Sequence, residues 1–230
     1  MLPIDRLGRP NPLIPFADER RGVPAANAGL KYPAEIYTPS EIHALMRAAG
    51  RGLTGARLRA LIALYWRCGL RASEGLALEL RDIDLDQGTV VVRHGKGDKR
   101  RMLGIDDQAL AVVEVWLAAR AGLGVPRGSR VFCTITRGNI GSPYGYPSLA
   151  ERLREVGQKA GLEKRVHAHG FRHTAAVDWL REGHSPLHIM KMLGHSDLAT
   201  TMRYLDHLAP AEVIDIARSR TWPAAALAAA

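Results

Sequence analysis

The sequence is short of the features that would place it in several large classes. Its 230 residues include two cysteines, Cys68 and Cys133, far apart in segments that read as helix and strand. The simplest reading is two buried thiols of a cytosolic protein rather than a disulfide framework. No apolar run approaches the length needed to span a bilayer, and no signal-peptide pattern opens the chain. The expected setting is therefore cytoplasmic, without a membrane partner. Acidic residues are scarce: 23 Asp and Glu face 32 Lys and Arg, a formal net charge of +9, with a pI near 10.0. No internal repeat is visible. A zinc motif is missing too. His169 and His173 have i, i+4 spacing with His167 nearby, but Gly170 stands where the H-E-x-x-H pattern needs its glutamate, so no metal site is expected. Gly-Lys-Gly-Asp-Lys at 95–99 lacks the spacing and the Ser/Thr of a phosphate-binding Walker loop.

What remains is substantial. Hydrophobic residues make up 47% of the chain, enough for one sizeable core or a core plus an appendage. Arginine greatly outnumbers lysine, and its planar fork suits bidentate phosphate recognition, so a polyanionic partner is expected. A generically basic surface is the blander alternative. Residues 1–37 carry Pro3, Pro10, Pro12, Pro15, Pro24 and Pro33 without an apolar period, which reads as an extended arm or linker. Thr38-Pro39-Ser40-Glu41 is a capping box with proline at the first helical position. A second helix is predicted from Thr54 to Tyr65 and a stop at Gly69; a short one follows Arg71 and ends near Leu80. Residues 88–105 read as a β-hairpin with Lys96 at its tip. A helix follows from Asp106 to Ala121, with Leu110, Val113, Val115 and Leu117 as core candidates. Arg130 to Cys133 reads as a short strand, 137–146 as a glycine-rich loop, and Ser148 to Ala160 as a helix.

The richest stretch runs from His167 to Tyr204. His169 and Arg172 sit at i and i+3, so one helix face presents both. Gly183 stops that helix, Ser185-Pro186 starts the next, Gly194 closes it, and Ser196 is placed to cap a third helix carrying Tyr204. A further helix is expected over 210–219, before Trp222-Pro223 and an alanine-rich end. A phosphodiester in reaction needs cations around its oxygens and a nucleophile in line with the leaving oxygen. Arg71 and Arg172 are the two cations such a site would use, with Glu74 close enough to orient Arg71. Read singly, each arginine is a surface or structural residue, Lys96 a solvated turn lysine, and Tyr204 a packing tyrosine. His173 and His188 read as core histidines.

H-x-x-R (His169, Arg172), then L-G-H-S (His195), then Tyr204 nine positions later, together with G-L-R-x-S-E (Arg71, Glu74), resembles the tyrosine recombinase (phage integrase) family. The resemblance covers most of the chain. It implies a mainly α fold with a small antiparallel β-sheet, an α+β catalytic domain over 38–216, and a tail over 217–230. It also implies a site-specific recombinase or integrase that cuts and rejoins duplex DNA through a 3′-phosphotyrosyl link, with no metal, ATP or other cofactor. By resemblance Arg71, Lys96, His169, Arg172 and His195 are catalytic and Tyr204 is the nucleophile. Lys96 is the acid for the departing oxygen, with Lys99 as its rival. His169 takes the tyrosine proton or binds the phosphate, and His195 contacts a nonbridging oxygen. Lys99, Arg100 and Arg101 are expected to clamp the DNA backbone. The implied partners are double-stranded DNA, a homotetramer on that DNA and accessory DNA-bending proteins, in the nucleoid. Family members usually carry a core-binding domain ahead of the catalytic domain, here expected to be trimmed or naturally missing. Gly75 and Ala168 also depart from the family pattern. Two other readings remain: a DNA-binding regulator that exchanges no strands, and a relaxing topoisomerase of the type IB kind.

Overall fold

A computed structural model describes residues 36–93, 100–126 and 128–205, with the side chains of 203–205 outside that description. The proline-rich arm before residue 36, the hairpin tip with Lys96 and Lys99, the 210–219 helix and the tail lie outside the described residues.

Helix α1 (Pro39–Ala48) begins on its predicted cap: Glu41 N donates to Thr38 Oγ1 at 3.2 Å and Thr38 N donates to the Glu41 carboxylate at 2.7 Å. Helix α2 (Leu53–Arg67) is buried on nearly all sides, with Leu58, Leu61, Ile62, Leu64 and Tyr65 in the core. Burial on nearly every side makes it the central rod, with the buried Arg57 donating to Cys133 O. It packs against α4 (Asp107–Ala121) and α6 (Ala168–Arg181). Gly69 ends the α2 segment at φ +58, where an added Cβ would lie 2.8 Å from the Trp179 ring. Helix α3 (Ala72–Ala77) is shorter than expected and is followed by a 3-10 turn at Leu80–Asp82. Gly75 sits in α3 where a Cβ would be 2.6 Å from the Tyr65 ring, which accounts for glycine there.

The predicted hairpin is present as β2 (Thr89–Val92) and β3 (Arg101–Gly104), paired antiparallel with Val90 opposite Leu103. A strand missing from the sequence-based expectation, β1 (Ile83–Asp84), adds an edge to make the order β1-β2-β3. Two residues carry no readable alternation. Arg130 to Cys133, expected as a strand, joins no sheet and has only isolated bridges, Glu79 to Arg130 and Cys133 to Pro143. Side chains take its carbonyls instead: Trp116 Nε1 donates to Val131 O at 3.1 Å and Arg57 Nη1 to Cys133 O at 2.7 Å.

In α4 the inward face is Ala109, Val113, Trp116 and Arg120, a helical period that leaves Val115, expected in the core, 58% exposed. Helix α5 (Tyr146–Lys159) buries Leu149, Leu153 and Val156. Helices α7 (Pro186–Leu193) and α8 (Leu198–Leu205) fold back onto α6, with Trp179, Ile189 and Leu193 in a second small core. Ser185 caps α7 as predicted, accepting from His188 N at 3.3 Å. At the start of α8, Asp197 rather than Ser196 takes the capping place, its Oδ1 accepting from Ala199 N at 2.9 Å. Tyr37, expected at the end of the arm, belongs to the core. Its N donates to Thr174 Oγ1 at 2.9 Å, its hydroxyl donates to Arg165 O at 3.0 Å, and its ring meets Phe171 at 4.8 Å. His188, expected in the core, is exposed.

Candidate active site

The site is assembled where α2 ends, α3 begins, β3 passes and α7 stops. Glu74, in the first turn of α3, folds back over its own helix start. Its Oε2 accepts Arg71 N at 2.8 Å and its Oε1 accepts Arg71 Nη1 at 2.8 Å. Arg101, from β3, donates from Nη1 to Oε1 at 2.9 Å and from Nη2 to Oε2 at 2.7 Å. Arg172, from α6, brings Nη1 to 3.9 Å from Oε2. Three guanidinium groups from three elements thus surround one carboxylate that is only 6% exposed. Burial alone would raise the pKa of Glu74, but hydrogen bonds from Arg101 and Arg71 outweigh it and pull the carboxyl down to about 2.

The same three arginines also gather on the last turn of α7. Arg101 Nε donates to Met192 O at 3.0 Å, Arg172 Nη2 to Leu193 O at 2.7 Å, and Arg71 Nη2 to Gly194 O at 3.3 Å. The final carbonyls of a helix have no partner within it and sit at the negative end of its dipole. Each of these three therefore finds a cation. Gly194 closes the turn at φ +66, and an added Cβ would lie 3.0 Å from Arg101 Nη1, so both conformation and space call for glycine.

Arg172 is fully buried. It donates from Nη1 to Gly69 O at 2.5 Å, and its Nη2 stands 3.0 Å from His195 Nε2. A phosphate can touch it only after the groups that cover it shift. His195 follows the Gly194 turn, and its Nδ1 lies 2.9 Å from Thr201 Oγ1 in α8. Burial, then the charges of Arg172, Arg71 and Arg101, depress His195 to about 4. His169, near the start of α6, is exposed and meets His173 edge-on at 4.4 Å. Partial burial, then Arg172, His167 and Arg71, lower it to about 4. Both imidazoles are therefore neutral near pH 7 and able to accept a proton.

The structure thus brings Arg71, Glu74, Arg172 and His195 into one hydrogen-bonded cluster, with His169 within reach of the charges of both arginines. Tyr204 lies on α8, the helix that contacts α6 and α7, and its side chain is outside the description. Lys96 and Lys99 are outside the described residues. Arg100 is exposed. Arg101, expected among the DNA contacts, instead points inward with its side chain 10% exposed. Strand alternation carries that signal: Arg101 is two residues from buried Leu103 and shares its face. Thr201, fully buried against His195, was not anticipated. The available hint was that a histidine binding through one ring nitrogen needs a partner for the other. Among the described residues no group of three His, Cys, Asp or Glu side chains is placed to hold a metal ion.

Known proteins share this chain's sequence pattern and fold. The model of the phage integrase family matches residues 35–210. This chain belongs to that family. Tyrosine recombinase XerC of Lactobacillus delbrueckii subsp. bulgaricus is 34% identical over 181 residues, covering 76% of this chain and 59% of the relative. This chain thus spans about three fifths of that relative's length. The crystal structure of XerA recombinase superposes with a TM-score of 0.71 at 25% identity, covering 85% of this chain and 69% of that one. XerH site-specific recombinase bound to palindromic difH substrate, in a post-cleavage complex, gives a TM-score of 0.67 at 26% identity, covering 83% and 54%. The mainly helical fold with a small antiparallel sheet is therefore that of tyrosine recombinases, as the motifs implied.

Proposed function

We propose that this chain cuts and rejoins duplex DNA at defined sites through a 3′-phosphotyrosyl intermediate, as a site-specific recombinase. The observation that carries the proposal is the convergence of Arg71 and Arg172. Drawn from separate helices, they share the Glu74 carboxylate and the carbonyl end of α7. Two cations held to one point suit the nonbridging oxygens of one phosphate, whose charge grows as phosphorus becomes five-coordinate. The names of the relatives support the same reading: XerC is a tyrosine recombinase, and XerH is seen with its difH substrate.

In this mechanism the Tyr204 oxygen attacks phosphorus and the bond to the 5′ oxygen breaks. Neutral His169 takes the phenol proton, and Lys96 gives a proton to the departing oxygen. His195 and the two arginines hold the nonbridging oxygens. Rejoining runs the steps backward, with a 5′-hydroxyl as nucleophile, and draws on no ATP because the phosphotyrosyl bond retains the phosphodiester energy. Residues 38–216 form the catalytic unit, Lys99 and Arg100 clamp the backbone, and strand exchange takes place in a homotetramer on DNA with DNA-bending partners. The place of action is the cytoplasmic nucleoid.

The test is a suicide duplex carrying a nick, incubated with the full chain in EDTA. A covalent protein–DNA band that disappears in Tyr204→Phe is expected. A band that survives that substitution, or no band on any duplex the protein binds, rejects the assignment. Joint products would separate recombination from relaxation.

A further inference from the structure

The reaction proposed above needs His195 to face a phosphate, and the structure fixes where its proton sits beforehand. An arginine has only donors, so the 3.0 Å contact between Arg172 Nη2 and His195 Nε2 makes Nε2 the acceptor. The ring is neutral near pH 7, so its single proton is on Nδ1, 2.9 Å from Thr201 Oγ1. The resting ring is thus of the wrong tautomer to donate to a nonbridging phosphate oxygen. A carboxylate beside Nδ1 would lock it that way. A hydroxyl accepts or donates with equal ease and serves either tautomer.

Resting on that reading of the site, we infer that Thr201 is a positioning residue that lets the His195 proton change places, accepting from Nδ1–H at rest and donating to Nδ1 once Arg172 releases Nε2. With no phosphate present the threonine hydroxyl accepts from Nδ1–H. When a phosphate takes the Arg172 donor away from Nε2, Nδ1 gives its proton to solvent and Nε2 gains one. The hydroxyl then turns and donates to Nδ1, while Nε2–H donates to the phosphate. No proton is gained or lost overall. Thr201 is fully buried, so no water replaces it without a change in packing. It also stands three residues before Tyr204 on α8. The helix that bears the nucleophile is thereby tied through one hydrogen bond to the group that reads the phosphate. Docking of α8 and readiness of His195 become a single event.

The experiment uses the full chain labelled with 15N-histidine, with His195 assigned by loss of its signals in His195→Gln. In the free protein the expected pattern is a protonated Nδ1 and a bare Nε2. Binding a suicide duplex to the Tyr204→Phe protein should reverse it. Thr201→Val keeps the shape and removes the hydroxyl. Because Arg172 still donates to Nε2, the free pattern should persist in Thr201→Val, but its reversal on duplex binding in the Tyr204→Phe background should be incomplete, and adduct formation in the otherwise native protein should slow about tenfold, the effect of one lost neutral hydrogen bond. Thr201→Ser should restore both. A Thr201→Val, Tyr204→Phe protein whose pattern reverses on duplex binding as fully as Tyr204→Phe alone overturns the inference. So does a slowed reaction that serine does not rescue, because that marks a packing role. Absence of any adduct in the native protein, alongside a reversal on duplex binding that depends on the Thr201 hydroxyl, would sink the recombinase assignment and leave the role of Thr201 standing.

Discussion

Replacing Glu74 by glutamine removes the one negative charge at the centre of three guanidinium groups while keeping the side chain's size. The carboxylate receives hydrogen bonds from Arg71 N, Arg71 Nη1, Arg101 Nη1 and Arg101 Nη2. Its pKa falls from an ordinary 4.5 to about 2 on folding. At about 1.4 kcal/mol per pKa unit, that preference is worth about 3 kcal/mol at neutral pH. For a domain of this size the loss corresponds to a drop in Tm of about 6–12 °C. The pH dependence distinguishes this cause from a packing defect. A depressed carboxyl stabilises above its unfolded pKa and loses that contribution as pH falls from about 4.5 toward 2. Urea denaturation of native and Glu74→Gln protein at pH 7 should differ by about 3 kcal/mol, and by pH 3.5 the gap should narrow by about 1 kcal/mol or more. A gap below about 1 kcal/mol at pH 7, or one of constant size, refutes the placement of Glu74 as the anchor of the arginine cluster.

The histidines act in a different pH window. His195 falls from 6.5 to about 4 on folding, so between those values the unfolded chain binds more protons and stability declines as pH drops. Its half-buried setting reduces the effect to about 1–2 kcal/mol, read as a urea midpoint that falls between pH 7 and 4.5 and falls less steeply in His195→Gln, where His169 still contributes. A flat profile for the native protein would contradict the depressed pKa. Arg100 and Arg101, adjacent in sequence, should separate by assay. Arg100→Met should lower the salt slope of DNA binding by about one. Arg101→Met should leave that slope unchanged and cost about 2–4 kcal/mol of stability by taking a donor pair from Glu74. Equal salt effects from the two would return Arg101 to the DNA surface.

The parts of this molecule that could be read from sequence are those set by neighbours along the chain. Thr38 and Glu41 announce α1 because a capping box closes within one turn, and Ser185-Pro186 announces α7 for the same reason. The meeting of Arg71 with Arg172 was legible only through family motifs, since no local rule brings together groups from different helices. The failures share a cause as well. Val131 to Cys133 looks like a strand, yet Trp116 and Arg57 reach its carbonyls first. Val115 lies off the helical period of Ala109, Val113, Trp116 and Arg120 and so faces outward, apolar though it is. Arg101 stands beside Arg100 in a basic run, yet its strand register puts it on the face of buried Leu103. Tyr37 looked like the end of a linker because its partners, Thr174, Arg165 and Phe171, all come from the far end of the chain.

Because Arg172 has no surface of its own, small anions gain nothing by drifting toward it. Inorganic phosphate or a free nucleotide brings too few contacts to offset lifting the covering groups away. In the proposed reaction a long duplex would, by meeting the protein at several phosphates before the scissile group arrives. Discrimination between a polymer and its fragments is then a matter of how much must be opened, and the guanidinium waits behind its own door.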